Sequence, residues 1–320
     1  MSFTINVGII AALAAFTINV AISPLILPFL IRLKFGQNIR SDGPQSHLKK
    51  AGTPTMGGVM FLISASLVSI FFLQDNPHGL AILFSMIAFG FIGFLDDYTK
   101  VVKKRSLGLR AYQKIIGQFA ATTMFIAFVL YTNGQEIFSY TIIPFWGEIN
   151  TGFWWIPIIY IVMIGGTNSV NLTDGLDGLA TGVTALVATF LMIVCYQFAN
   201  GGVAISGAVL GSLMGFLLFN SHPAKVFMGD TGSLALGGFV TAAAIMLQIP
   251  FFLILIGFVY VIEALSVMIQ VGYYKMTKQR FFKMAPIHHS FEISGWSETK
   301  VVSFFYVLTA IGCLVGYLAL

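Results

Sequence analysis

Charged residues are scarce in this chain: of its 320 residues only 9% are Asp, Glu, Lys or Arg, whereas 57% are hydrophobic. A water-soluble domain usually has about a quarter of its residues charged, so the composition excludes an ordinary soluble globular protein. The mean hydropathy of +0.89 indicates a protein that lies in lipid. The net charge of +5 does not indicate a nucleic-acid partner, because the basic residues stand beside apolar runs, as in membrane proteins.

Several motifs are also lacking. The two cysteines, Cys195 and Cys313, stand inside apolar runs, so we predict small buried side chains and no disulfide or metal pair. There is no Gly-x4-Gly-Lys-Ser/Thr loop, which excludes a P-loop ATPase, and no zinc-type spacing of His and Cys. The absence of an evident repeat gives no support to an inverted-repeat transporter. No basic residue precedes the apolar run 5–31, so we expect a retained first span and no cleaved signal peptide.

Ten apolar stretches are long enough to cross a hydrocarbon layer of ~30 Å. They are 3–31, 56–73, 79–95, 113–131, 152–167, 179–197, 202–219, 233–248, 250–272 and 300–319. The predicted fold is therefore all-α, a polytopic membrane protein with about ten transmembrane helices that form one domain over 1–320. Segment 134–150 is rich in strand-forming residues with turn residues at its ends, and it predicts a small β-hairpin.

The basic residues give this arrangement an orientation. All 17 Lys and Arg fall within 32–50, 100–114, 225 and 275–300, which follow the first, third, seventh and ninth stretches. Cytoplasmic connectors carry such an excess, so these connectors are predicted to be cytoplasmic and both termini and the hairpin to lie outside.

Two adjacent acids, Asp96 and Asp97, end the third stretch. The ordinary interpretation is a solvated helix end. The unpaired carbonyls at a helix C-terminus disfavour anions, however, so two Asp residues there need a cation or a basic partner. Candidate partners are Lys100, Lys103, Lys104 and Arg105. We predict a functional role for this pair.

A second polar run, Asn-Leu-Thr-Asp-Gly-Leu-Asp-Gly, spans 171–178. The spacing of Asn171, Asp174 and Asp177 predicts polar groups on one helical face, and capping the next helix would need only one of them. Asp230 lies in a Gly-Asp-Thr-Gly-Ser run before the eighth stretch. That run is either a cap and turn, or a carboxylate with free N–H groups for a metal and phosphate.

His288 and His289 lie in a basic loop that is predicted to face the same side as these acids. Histidine donates to phosphate oxygens or shuttles a proton near neutral pH, so a functional role is predicted. Glu263 interrupts the ninth stretch, where a carboxylate must face protein or a polar cavity. Its role, catalytic or structural, stays open.

Together these groups suit magnesium-assisted chemistry on a diphosphate. Mg²⁺ prefers one or two carboxylates plus substrate phosphates, and it stabilises charge on a leaving phosphate. Asp96-Asp97-Tyr-Thr-Lys100 lacks the last Asp of an Asp-Asp-x-x-Asp motif, which disfavours an isoprenyl-diphosphate enzyme.

At these residues the chain resembles the phospho-N-acetylmuramoyl-pentapeptide-transferase family of bacterial peptidoglycan synthesis. The matching motifs are 43–50, 52–58, 93–98, 168–178, 223–233 and 286–289. The resemblance implies a multi-pass enzyme of the bacterial plasma membrane with a cytoplasmic active site, which acts in the bilayer, as a homodimer, with Mg²⁺. Its implied substrates are UDP-N-acetylmuramoyl-pentapeptide and undecaprenyl phosphate, and its products lipid I and UMP.

The resemblance also implies residue roles. Asp230 matches the Mg²⁺ ligand, Asp96 the acid that deprotonates or positions the lipid phosphate, and Asp97 the adjacent essential acid. His288 and His289 are expected to act in catalysis. The expected contacts with the nucleotide and substrate are Lys49, Thr55, Lys114, Asn171, Asp174, Asp177 and Phe227.

Many family members have a third consecutive histidine where this chain has Ser290, so that position is not expected to be essential here. A groove for the polyprenyl tail is expected near the ninth stretch. Direct displacement and a covalent aspartyl intermediate both stay open, and direct attack is favoured because the lipid phosphate is already an anionic nucleophile. Two alternatives remain: a transferase of an N-acetylhexosamine phosphate onto polyprenyl phosphate, and a cation-coupled transporter.

Overall fold

The protein is mostly helical, with one two-stranded sheet. The computed structural model describes residues 4–32, 50, 52–72, 76–102, 108–198 and 201–320. Its main helices are α1 Ile5–Arg32, α2 Gly58–Phe72, α3 Pro77–Val102, α4 Ala111–Asn133, α5 Gly152–Thr173, α6 Leu179–Gln197, α7 Val203–Asn220, α8 Gly229–Met246, α9 Leu253–Ile256, α10 Phe258–Thr277, α11 Ile287–Ile293 and α12 Glu298–Leu318. The strands are β1 Tyr140–Ile143 and β2 Gly147–Asn150.

A helix occurs at each of the ten predicted apolar stretches, but not every helix qualifies as a span. Within the described residues, seven are long and apolar enough to cross a membrane, namely α1, α3, α4, α5, α6, α7 and α12. An eighth span is possible if the bent pair 250–256 and 258–277 counts as one. Helix α2 has only 15 residues. The chain is therefore a multi-pass membrane protein by its apolar helices.

Two of the predicted elements differ from those observed. The ninth stretch is not one continuous helix, since it breaks at Gly257 and its two parts are bent by 88°. The fifth helix continues past the predicted end at 167 as far as Thr173, and it includes a π-helical turn, Ile161–Gly165. That extension places the beginning of the 171–178 run inside a helix, where the sequence predicted a connector.

Helix α8 forms the centre of the fold, and every residue from Thr231 to Met246 is buried. Such a helix is apolar on all sides, as expected of a core helix. Its closest neighbour is α3. A Cβ atom at Gly93 of α3 would overlap the carbonyl group of Asp230, so the two backbones touch where α8 begins.

We therefore expect Gly93→Ala to force α3 away from α8 and to destabilise the protein by about 1–3 kcal/mol, the usual range for overpacking. The matched control is Gly272→Ala in α10, where an added Cβ meets no heavy atom within 4 Å. Thermal unfolding in detergent checks the prediction: Gly93→Ala should unfold at a lower temperature than the wild type, and Gly272→Ala should not. Equal unfolding temperatures for both variants would contradict the contact.

The predicted hairpin is confirmed, and it lies at the far end of α8 from Asp230. β1 and β2 are antiparallel, with Ile143 opposite Gly147. The backbone N–H of Ile142 and the hydroxyl of Thr141 both donate to the carbonyl of Gln248, at 2.8 and 3.0 Å. The hairpin is therefore attached to the segment that directly follows α8.

Candidate active site

Three carboxylates meet at the N-terminal end of α8. Asp96 and Asp97, from the end of α3, lie beside Asp230, and one oxygen of each lies within 4.8 Å of the others. We call this group the carboxylate centre. Three hard oxygen ligands at this spacing are a chemically suitable site for a divalent cation such as Mg²⁺.

Asp230 is held by three partners. Its Oδ2 lies 2.6 Å from Lys114 Nζ and 3.1 Å from Lys100 Nζ, and its Oδ1 accepts a hydrogen bond from Asn171 Nδ2 at 3.1 Å. Burial by itself raises the pKa of Asp230, but hydrogen bonding with Asp96 and attraction to the two lysines hold that pKa below its usual value. The side chain is therefore ionised at neutral pH, the state that binds a metal ion.

Asp97 resolves the electrostatic problem of two acids at a helix end. One of its oxygens accepts from the backbone N–H of Asp230 at 3.2 Å, and the other from the N–H and hydroxyl of Thr231 at 2.8 and 2.7 Å. These N–H groups lie in the first turn of α8, where the helix dipole favours an anion. Asp97 therefore caps α8 from a neighbouring helix and fixes the backbone that carries Asp230.

Asp96 faces the lysines and the chain that follows α3. Its Oδ2 lies 2.6 Å from Lys100 Nζ and 3.7 Å from Lys114 Nζ, while Oδ1 accepts from the backbone N–H of Leu109 at 2.8 Å. A Cβ atom at Gly108 would lie 2.7 Å from Asp96 Oδ1, so only glycine allows this close approach. Of the four basic partners that the sequence offered, Lys100 makes the contact, and the other three lie outside the described residues.

Asp174 follows the last residue of α5 and is half-buried. Burial raises its pKa well above the usual value, and repulsion by Asp230, Asp97 and Asp177 adds to the effect. The ionised form of a carboxyl group in such surroundings is stabilised by a cation or by a hydrogen-bond donor from a ligand.

The third acid of the 171–178 run occupies a different place. Asp177 joins Lys50, His222 and Glu298 in what we call the Asp177 group. Lys50 Nζ lies 2.8 Å from Asp177 Oδ1 and 2.6 Å from Glu298 Oε1, and His222 Nδ1 lies 3.0 Å from Asp177 Oδ2. The prediction of one shared helical face is wrong, because α5 ends at Thr173 and a turn carries Asp177 away from Asn171.

None of these polar residues caps helix α6. Its N-cap is Gly178, which has a left-handed backbone (φ 80°) and receives no side-chain hydrogen bond. The alternative that the run serves as a helix cap is thus excluded. Asn171 instead contacts the carboxylate centre, and Asp177 belongs to the Asp177 group.

Comparison with known proteins identifies the family. The family model described as glycosyl transferase family 4 matches residues 79–248, and the phospho-N-acetylmuramoyl-pentapeptide-transferase signature 1 matches residues 50–62. The chain is 50% identical over 315 residues to the phospho-N-acetylmuramoyl-pentapeptide-transferase of Clostridium botulinum (strain Eklund 17B / Type B), covering 97% of this chain and 95% of that protein. The transferase of the same name from Acetivibrio thermocellus is 45% identical over 325 residues, with 100% and 97% covered. The chain belongs to the phospho-N-acetylmuramoyl-pentapeptide-transferase family.

The segment that carries the family signature lies directly against the start of α8. The N–H of Phe227 donates to the carbonyl of Pro54, and the N–H of Gly57 donates to the carbonyl of Phe227, at 2.8 and 2.9 Å. Thr55 is buried, and its Oγ1 would lie 2.9 Å from a Cβ at Gly229. Thr55 and Phe227 are thus neighbours beside the carboxylate centre. Lys49, the other predicted contact of this family motif, lies outside the described residues.

The histidines of the family's 286–289 motif lie in helix α11 and differ in environment. His288 is 1% exposed and its Nδ1 lies 3.1 Å from Glu263 Oε2, whereas His289 is partly exposed and its Nδ1 lies 2.8 Å from Glu292 Oε2. Ser290 Oγ donates to the carbonyl of Met284 at 2.6 Å and accepts from its N–H at 3.1 Å. The serine at the family's third histidine position therefore binds the backbone of the loop that precedes it.

Sequence reasoning missed Lys50, His222 and Glu298. Lys50 was within reach, since it is the last residue of the quoted motif 43–50 and the first of the matched family signature. His222 stands in the connector after α7 and Glu298 begins α12, 76 residues later, so nothing in the local sequence signals that they meet at Asp177.

Proposed function

We propose that this chain transfers phospho-N-acetylmuramoyl-pentapeptide from UDP-N-acetylmuramoyl-pentapeptide to undecaprenyl phosphate, giving lipid I and UMP. The observation that carries the proposal is the carboxylate centre with its two lysines at the start of α8, in a chain half identical to transferases of that name. The centre offers a metal site and cationic partners for phosphate in one place. Both can neutralise the charge of a diphosphate donor.

We propose Mg²⁺ as the cofactor, with Asp230 as its principal ligand. Carboxylate oxygens are the ligands that Mg²⁺ prefers, and Asp230 is the most exposed acid of the centre, with 17% of its side chain accessible against 2% and 3% for Asp96 and Asp97. Bound there, Mg²⁺ would neutralise the diphosphate and stabilise the leaving UMP. The residues present fit this role, since three acids outnumber the two lysines.

The lysines and Asp96 suit the transfer itself. Lys100 and Lys114 both point at Asp230 Oδ2, so their ammonium groups can hold phosphate oxygens that approach the same point. Asp96 is paired with Lys100 and would position the lipid phosphate. An oxygen of that phosphate attacks the β-phosphorus, the bond to the bridging oxygen breaks, and UMP leaves with the electron pair. Direct attack suffices because positioning and charge relief are the main requirements of phosphoryl transfer.

The remaining assignments concern the substrate and the membrane. We propose that Thr55, Phe227, Asn171, Asp174 and Asp177 contact the nucleotide sugar, since all flank the carboxylate centre or the adjacent Asp177 group. We further propose ten spans with both termini outside, a cytoplasmic active site in the bacterial plasma membrane, and a homodimer. The basic connectors support the orientation, and the hairpin at the opposite end of α8 from Asp230 is consistent with it.

The decisive experiment measures UMP release in detergent from UDP-N-acetylmuramoyl-pentapeptide with undecaprenyl phosphate. We expect release that requires both substrates and Mg²⁺, falls to background on chelation and returns when Mg²⁺ is restored. Turnover only with UDP-N-acetylglucosamine would assign the chain to the hexosamine-phosphate transferases. A folded protein that turns over neither donor would contradict the proposal and favour a transporter.

A further inference from the structure

Glu263 is a buried acid that the proposed reaction does not use. It lies in the second turn of α10, and its side chain is 0% exposed. A carboxylate in an apolar helix is costly to insert into a membrane, so its presence calls for a partner inside the protein. Among the described residues, His288 is the basic side chain that lies against it.

The contact between Glu263 and His288 is fully enclosed. Glu263 Oε2 lies 3.1 Å from His288 Nδ1, and the two side chains are 0% and 1% exposed. Neither atom makes a hydrogen bond within the described residues, so the contact acts through proximity and the charge of the carboxylate. A carboxylate so near one ring nitrogen favours the tautomer that carries its proton on Nδ1.

The other ring nitrogen faces the loop that carries Asp174. A Cβ atom at Gly175 would overlap Nε2 and Cε1 of His288, so the imidazole packs directly on the backbone of that glycine. His288 Nε2 has no hydrogen-bond partner within the described part of the chain. Gly175 is required here for close approach, since any side chain would displace the ring.

The chain from α5 to Gly175 therefore lies between two fixed points. At one, Asn171 Nδ2 donates to Asp230 Oδ1 and to Ser233 Oγ, at 3.1 and 2.7 Å. At the other, His288 packs on Gly175, and helix α10 packs along the last helical turns of α5. Asp174 stands between these points.

We propose that Glu263 is a positioning residue: through His288 it fixes the Gly175 backbone, and so holds Asp174 and Asn171 toward the carboxylate centre. The kinetic part of this inference rests on the proposed function, whereas the Glu263–His288 contact does not. Glu263 touches no substrate in this scheme. Its removal should lower the rate of the transfer step and leave the affinity for the lipid acceptor unchanged.

Nitrogen NMR on the histidine-labelled protein tests the contact without any activity. The chain has five histidines. The signal of His288 is assigned as the one that disappears in His288→Gln. If that variant misfolds, each of the other four histidines is replaced in turn, and the signal that no replacement removes belongs to His288. We expect the wild type and Glu263→Gln to show a proton on Nδ1, because the glutamine carbonyl can still place its negative dipole end beside that nitrogen. Glu263→Leu should move the proton toward Nε2. The same signal in Glu263→Leu and wild type would overturn the proposal.

Kinetics test the consequence. We expect Glu263→Leu to lower kcat by about 10- to 100-fold, the effect of a small displacement of catalytic groups, with an unchanged KM for undecaprenyl phosphate. Glu263→Gln should recover most of the rate. The matched control is Tyr260→Phe, one turn earlier on α10, which removes a buried 2.7 Å hydrogen bond to Thr184 and should keep wild-type kcat.

Two kinetic results would contradict the proposal: a raised KM for the lipid with unchanged kcat, or equal losses in Glu263→Leu and Tyr260→Phe. The first would make Glu263 part of a lipid site, and the second would reduce it to general stability. If the wild type shows no turnover with either donor, the proposed function fails, and the NMR result alone decides the contact.

Discussion

Asp230→Asn should reduce Mg²⁺-dependent UMP release by about 1000-fold or more. A metal-bound carboxylate contributes several kcal/mol to the transition state, and roughly 4 kcal/mol corresponds to that factor. The substitution keeps the volume and the contact with Asn171 but replaces the charge that both lysines face. The measurement is the initial rate as a function of Mg²⁺ concentration.

The matched control is the same substitution at Asp177, whose partners are Lys50 and His222 and which lies outside the carboxylate centre. Asp177→Asn should raise the KM for the nucleotide donor and leave the Mg²⁺ concentration for half-maximal rate unchanged. If Asp230→Asn kept its rate and its Mg²⁺ dependence, or if Asp177→Asn were the variant that shifted that dependence, the metal assignment would be wrong.

Asp97→Asn should lower the rate nearly as far, by about 100- to 1000-fold, because it releases the backbone that holds Asp230. Both oxygens of Asp97 accept hydrogen bonds from Asp230 and Thr231. An asparagine can accept hydrogen bonds only through its one oxygen, since its amide nitrogen is a donor and would face N–H groups. Because this effect passes through Asp230, the variant should also require more Mg²⁺, and the double variant with Asp230→Asn should be no slower than Asp230→Asn alone.

Thr231→Val serves as the graded control, because it removes only the 2.7 Å hydroxyl contact and keeps the backbone bonds to Asp97. It should show a smaller loss of rate than Asp97→Asn. A normal Mg²⁺ requirement in Asp97→Asn, despite a large loss of rate, would contradict a positioning role and favour direct participation of Asp97 in the chemistry.

The sequence predicted the helical class and the hairpin because local composition carries those signals, and its motifs resemble the family that the comparison shows. Apolar runs and basic connectors mark helices and their polar ends, and strand-forming residues between turns mark the hairpin. The sequence marked Asp96, Asp97 and Asp230 as functional candidates, and the structure adds that the three carboxylates lie together. The residue roles stay predictions.

What the sequence did not show depends on long-range contacts and on backbone breaks. The bend at Gly257 lies within an uninterrupted apolar run, so hydropathy alone indicates one span. Asp177 shares its motif with Asn171, yet the chain turns after Thr173 and separates them. Lys50 and His222 reach Asp177 from two connectors, and Glu298 reaches it from the first turn of α12. Only the packing of the helices brings these distant positions together.

Helix α8 is held at both ends: Asp97 binds its first N–H groups, and the hairpin binds Gln248 just beyond its last turn. A buried rod fastened in this way, about 27 Å long at 1.5 Å per residue, cannot slide along its axis without breaking one of the two attachments. Movement of α8 along its axis therefore cannot open or close the carboxylate centre while both attachments hold.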